Sequence, residues 1–241
     1  MSKFEQSSEI YDAYEVLADE YDRLGDSKPS NAYLERPATV SLLPDVEGSF
    51  ILDAGCGAGH LSFELVDQGA NVLGIDISQK MVEYTRHRVP EATIIKASLE
   101  DTLPFKSASF DGITSSLALH YIQDWDILFK ELNRVLKTKG WIVFSVQHPH
   151  ADFEEYSDSS NYHDIEWVTA TWTSFGREVE VPTYRRPLEE MINPAILNGF
   201  HLDKILEPYP TEEFQRVAPE RYEYEAHRPN FLCFRYFLDD D

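Results

Sequence analysis

Apolar side chains recur along this chain in two rhythms. From Ile10 through Tyr14, Leu17, Ala18 and Tyr21 they return at helical spacing, which predicts an amphipathic helix ending near Gly25. After the polar break from Asp26 to Ser30, a second short helix is predicted from Asn31, its candidate cap, to Leu43. From Ser49 the rhythm changes to short apolar runs alternating with amphipathic stretches, the pattern of strand-helix-strand units around a parallel sheet. Strands are expected at Phe50 to Asp53, Asn71 to Ile75, Thr93 to Lys96, Phe110 to Ser115 and Trp141 to Val146. Helices are expected at Ala58 to Gln68, Ser78 to Arg88 and Asp124 to Lys137, with Gly69 and Gly140 where helices commonly stop. Five such strands make a doubly wound α/β fold the expected architecture.

Beyond Pro149 the alternation fails. A polar, aromatic-rich stretch from Ala151 to Asn161 leads to Ile165 to Thr173, then Gly176, then Glu178 to Tyr184, which reads as a β-hairpin inserted into the core. A helix from Pro187 to Asn198 with Gly199 as its stop, a strand Phe200 to Leu206 and a strand Phe231 to Leu238 complete the chain. One domain over 1–241 is expected: a helical lid over 1–48, a ligand-binding core over 49–150, an inserted substrate region over 151–186, and a closing helix with two strands over 187–241.

Composition narrows the function classes. The 241 residues are long enough for one large domain with a sizeable core. Lys plus Arg number 21 against 43 Asp plus Glu, a formal net charge of -22 that disfavours nucleic acid and acidic membrane surfaces. Cys56 and Cys233 are far apart and form no metal-ligand pair, and no window has the apolar length of a signal or a membrane span. A cytoplasmic protein, monomer or homodimer, without a metal, is the expectation.

The segment from Ile51 to His60 runs from an apolar strand through Asp53, Gly55, Cys56, Gly57 and Gly59 into a helix. Its pattern is GxGxG, since the sixth position counted from Gly55 is His60 rather than the glycine of the dinucleotide fingerprint. Asp76 closes the second strand 21 residues beyond Gly55, where a carboxylate accepts the hydroxyls of a bound ribose. That spacing alone also allows a nicotinamide dinucleotide and an oxidoreductase. Asp53 adds a second carboxylate, which suits a ligand bearing an ammonium group.

Phe50 to Val146 resembles the class I S-adenosylmethionine-dependent methyltransferases of the small-molecule type, close to methyltransferase type 11. The resemblance implies a Rossmann-like sheet of order 3-2-1-4-5-7-6 with an antiparallel last strand, S-adenosyl-L-methionine as cofactor, and methyl transfer to an O or N atom of a small molecule. In that resemblance Asp53 to Gly59 cradle the methionine part, Asp76 binds the ribose, and Ile77 and Met81 flank the adenine. Ser98 stands where the family has an acid, Leu99 offers its backbone to the ring, and Ser116 opens the loop that faces the methyl group. That loop lacks the Pro-Pro-Tyr of enzymes acting on DNA bases or glutamine amides. A cofactor-binding protein without turnover, or an RNA methyltransferase with a local basic face, would share much of this pattern.

On the acceptor side, His120 and His148 fall after the fourth and fifth strands and are the candidate bases, or loop histidines bonded to backbone or water. Tyr184, Arg185 and Arg186 are the candidate substrate contacts. A guanidinium fork there would hold an acidic group of the acceptor, or pair with one of the many neighbouring acids.

Overall fold

The five apolar runs pair side by side in a computed structural model that describes residues 3–173 and 178–240. Strands β1 (Phe50–Ala54), β2 (Asn71–Asp76), β3 (Thr93–Lys96), β4 (Phe110–Ser116) and β5 (Leu136–Gln147) are parallel. With β8 (Phe200–Leu206) and β9 (Phe231–Leu238) they form a seven-stranded sheet of order β3-β2-β1-β4-β5-β9-β8. Strand β9 runs antiparallel to both β5 and β8. Because two hairpin strands intervene along the chain, this is the expected order with its last two strands renumbered.

Side chains alternate across the sheet and give it two buried faces. Leu52, Ile113, Ile142 and Phe144 face one side, covered by α5 (Trp125–Val135) and α7 (Glu189–Leu197). Ile51, Val72, Trp141 and Val143 face the other, covered by α2 (Arg36–Ser41) and α3 (His60–Asp67). Helix α4 (Gln79–Arg88) starts from Ser78, whose hydroxyl accepts from the Met81 amide, and α5 is capped in the same way by Asp124.

Two local expectations need correction, and a stretch given no element is partly helical. Gly140 stops no helix: α5 ends at Val135, Leu136 at once pairs with Phe110, and Gly140 lies inside β5 beyond a register shift. Lys139, not Gly140, takes the left-handed conformation there, with φ +65°. Asn31 caps nothing; it opens a π-helical turn (Asn31–Glu35) that leads straight into α2. And part of the stretch from Ala151 to Asn161 is helical: α6 (Pro149–Glu155) is capped by His148, but it buries Pro149 and Asp152 rather than an apolar stripe, so it carried no helical rhythm.

The N-terminal helix α1 (Lys3–Leu24) lies over the inserted hairpin, formed by β6 (Glu166–Trp172) and β7 (Val179–Arg185) in antiparallel register. Ile10, Ala13 and Leu17 of α1 bury with Tyr121 and Val181. Phe175 and the turn glycine Gly176 lie outside the described residues. Helices α8 (Glu212–Val217) and α9 (Pro219–Glu225) fill the connection between β8 and β9.

Candidate active site

The glycine loop at the end of β1 is built for close approach. Gly55, Gly57 and Gly59 have φ of +80°, +54° and +84°. A Cβ on Gly55 would sit 2.4 Å from the Ala118 Cβ, and one on Gly59 would sit 2.7 Å from the Thr85 Cγ2. Above Gly57 the nearest atom is a Tyr21 ring carbon at 3.8 Å, so space over that backbone is open.

Asp76 anchors the loop from β2. Its Oδ2 accepts the Gly57 amide at 2.9 Å and its Oδ1 the Ser78 amide at 2.8 Å. A carboxylate has about four acceptor positions, so two remain for a ligand. Burial pushes this carboxyl up to about 6, with the nearby Glu15 adding to the shift and the amide bonds opposing it. Asp53 is likewise pushed up to about 6 by burial, although it accepts from the Ser62 hydroxyl at 2.5 Å and from Thr114 at 3.4 Å.

A first cavity brings together Gly55, Gly57, Asp76, Ile77, Ser98, Leu99 and Ser116 with Tyr14, Tyr21, Leu117 and Tyr121. Its charged lining residues are Asp76 and Glu100 alone among the described residues. A pyrophosphate would find no cation there. A ribose beside Asp76 and an apolar ring between Ile77 and Leu99 fit the same walls. Ser98 lines this cavity, and its Oγ accepts the Glu100 amide at 3.1 Å, which leaves its hydroxyl hydrogen free to donate. Glu100 brings a carboxylate to the same wall, bonded by the Ser7 hydroxyl. Met81 is absent from this lining and packs with Ala18 and Ala58 below it, a correction to its expected place beside an adenine.

A smaller cavity on the far side of the loop holds Asp53, Cys56, Glu35, Arg36 and His60 beside Gly55, Gly57 and Ser116. Cys56 is buried, its Sγ 3.8 Å from the Thr85 hydroxyl, and burial together with Asp76 and Asp53 pushes the thiol well above its usual range. Glu35 escaped the sequence reading. It is 1% exposed, and its Oε1 accepts from Ser145 at 2.5 Å, Thr39 at 2.8 Å and Ser116 at 2.9 Å. Burial raises its pKa against the pull of those hydroxyls. The signal was present: Glu35 and Thr39 sit four residues apart among Leu34, Ala38 and Leu42, an acid and a hydroxyl inside an apolar stripe.

A second cavity adjoins the first and shares Tyr14, Tyr21, Leu117 and Tyr121 with it. The Tyr14 and Tyr121 hydroxyls are 2.7 Å apart in this common wall. His120 lines the second cavity, buried, with no hydrogen-bond partner at Nδ1. Burial and the Arg186 charge push it down to about 3, so its ring is neutral near pH 7.

The other acceptor-side candidates stand elsewhere. His148 lies outside both cavities; its Nδ1 accepts the His150 amide as the α6 cap and its Nε2 meets Glu207 at 3.1 Å. Arg185 is fully buried, bonded to Glu166 at 2.8 Å and to the carbonyls of Asn161, Tyr162 and Asp164. Arg186 stacks over Trp125 at 4.4 Å and donates to the Ile122 carbonyl, and burial lowers it to about 9. Tyr184 donates to the Gln6 side chain at 2.7 Å. None of the three lines the second cavity; Arg185 finds its partners within the insertion, and Arg186 finds its own on Trp125 and Ile122 of the core.

Comparison with known proteins agrees with this geometry. Residues 52–144 match the family described as methyltransferase domain. A demethylmenaquinone methyltransferase of Lactococcus lactis is 30% identical over 151 residues, 58% of this chain and 59% of that protein. An uncharacterised protein of Haemophilus influenzae is 27% identical over 85% of this chain and 87% of its own length. The crystal structure of an S-adenosylmethionine-dependent methyltransferase from Mesorhizobium loti superposes with a TM-score of 0.69 at 29% identity, covering 88% of this chain and 99% of that one. With the GxGxG loop, the Asp76 anchor and the seven-stranded order all in place, the chain carries a methyltransferase domain over residues 52–144 and has the fold of the class I S-adenosylmethionine-dependent methyltransferases.

Proposed function

We propose that this methyltransferase acts on an O or N atom of a small molecule held in the second cavity, with the cofactor in the first. The supporting observation is the common wall: Tyr14, Tyr21, Leu117 and Tyr121 border both compartments, so ligands in the two would meet there. In this reading Asp76, Ile77, Ser98 and Leu99 hold the adenosine side, the loop from Asp53 to Gly59 cradles the methionine side, and Ser116 opens the loop that faces the methyl group. Bound S-adenosyl-L-methionine supplies an electrophilic methyl group, and the protein aligns the acceptor and excludes water. His120, neutral and in the second cavity, accepts a hydrogen bond from the acceptor; His148 is placed to shape α6 instead.

The absence of a cation around the first cavity among the described residues weighs against a nicotinamide dinucleotide. A thermal-shift comparison tests this: S-adenosylhomocysteine is expected to raise the melting temperature and NADH to leave it unchanged, and the reverse order would overturn the cofactor assignment. Incubation with methyl-labelled cofactor and fractionated extract then separates a small-molecule acceptor from protein or RNA, and from binding without turnover.

A further inference from the structure

The second cavity carries more hydrogen-bond acceptors than its own side chains use. Asp152 of α6 is 4% exposed and lines it, yet its carboxylate takes part in no hydrogen bond among the described residues. Its neighbours act through charge only, Glu155 raising and Arg185 lowering its pKa, while burial pushes it well above the usual range. Glu225 of α9 is 5% exposed; its Oε1 is bonded by Arg221 and Ser30, both at 2.8 Å, and its Oε2 is buried without a partner. Glu155 is the third carboxylate of the lining.

Two cations share the lining with these carboxylates: the Arg221 Nε donates to Glu225, and the Lys28 ammonium lies 5.0 Å above the Trp172 ring. His120 adds an unpartnered Nδ1 and no charge. A buried carboxylate facing a cavity is costly unless something donates to it. Tyr14, Tyr121, Trp172 and Phe231 supply aromatic surface beside these acceptors.

We infer that the methyl acceptor is an amine on an aromatic or apolar body, entering as its ammonium ion and held by Asp152. This rests on the methyltransferase reading above and names its substrate class. The ammonium donates to Asp152, with Glu225 Oε2 the second acceptor in the cavity. One N–H bond then breaks, leaving its electron pair on nitrogen, and the proton passes to the Asp152 carboxylate and on to solvent. The nitrogen pair forms the new bond to the methyl carbon as the S–CH3 bond breaks with its pair remaining on sulfur. The products are a methylated ammonium, S-adenosylhomocysteine and one proton. A carboxyl group with a raised pKa is a fitting proton acceptor for that step.

The test uses the full chain loaded with S-adenosylhomocysteine and, as probes, tyramine and 2-phenylethylamine against their shape-matched 3-phenylpropanoic acid and 2-phenylethanol. Calorimetry is expected to show the amines binding at least about tenfold tighter than the acid or the alcohol. With S-adenosylmethionine the amines are expected to yield N-methyl products. Asp152→Asn is expected to weaken amine binding about tenfold or more while S-adenosylhomocysteine affinity holds, which also reports that the variant is folded. Equal or tighter binding of the acid or alcohol, no methylation of either amine, or unchanged amine affinity in Asp152→Asn would each overturn the inference. Failure of S-adenosylhomocysteine to bind the unaltered protein would instead remove the methyltransferase reading beneath it.

Discussion

The two compartments are assembled in opposite ways. The first is local: its glycine loop, Asp76, Ser98 with Leu99, and Ser116 follow the ends of four adjacent parallel strands, where one backbone pattern fixes each position. The second is composite, taking residues from α1, the turn before α2, the segment after β4, α6, β6, α9 and the start of β9. The first can therefore be disabled by a single change with little loss of fold, whereas the second stands or falls with the packing of distant segments.

The sharpest way to break that contrast is Arg185→Leu. It leaves the carbonyls of Asn161, Tyr162 and Asp164 without this donor, while Glu166 keeps its bonds from Ser160 and Asn161, and each buried carbonyl left unsatisfied costs about 1 kcal/mol or more. Chemical denaturation should show that loss. If stability is unchanged, the insertion is not held by this tie. Next in size, Asp76→Ala should weaken S-adenosylhomocysteine about a hundredfold by calorimetry, from two charged hydrogen bonds of about 1.5 kcal/mol each, with a smaller change in unfolding free energy.

The pH dependence sharpens the same division. Asp76 has a folded pKa raised to about 6, so protonation is favoured in the folded protein and its stabilising contribution is lost as pH rises through that value. Ligand affinity moves the other way, because only the ionised carboxylate has its full acceptor set. Affinity for S-adenosylhomocysteine should fall as pH drops below about 6, and Asp76→Asn should flatten the profile. The smallest effect is expected for His148→Gln: a loss within about 1 kcal/mol, that of a helix cap, with the rate of methyl transfer unchanged. A large fall in that rate would return His148 to the active site.

This division also explains what could be read from the sequence. The strands, Asp53, Asp76 and the three glycines were legible because strand periodicity and positive φ act over a few residues, whereas the order of the sheet came from the family resemblance alone. Asp152, Glu225 and Lys28 were not: α6 and α9 bury acids rather than apolar stripes, and nothing in their spacing shows that they face one space. Arg185 and Arg186 drew notice by contrast with their acidic surroundings; that setting supplies the partners of Arg185, while Arg186 turns to Trp125 and the Ile122 carbonyl. Met81 had the right helix but the wrong side of it, since Ser78, its cap, turns that side toward α1.

The position of β9 has a consequence for how the molecule is made. It is the last of the described strands to leave the ribosome, yet it lies inside the sheet, and Phe234 and Tyr236 stack on Phe144 of β5. Until it arrives, the apolar edge of β5 has no partner and β8 has nothing to pair with. While β9 is still unmade, a slot stays vacant between β5 and β8, a stage at which an unpaired strand edge invites association with other chains.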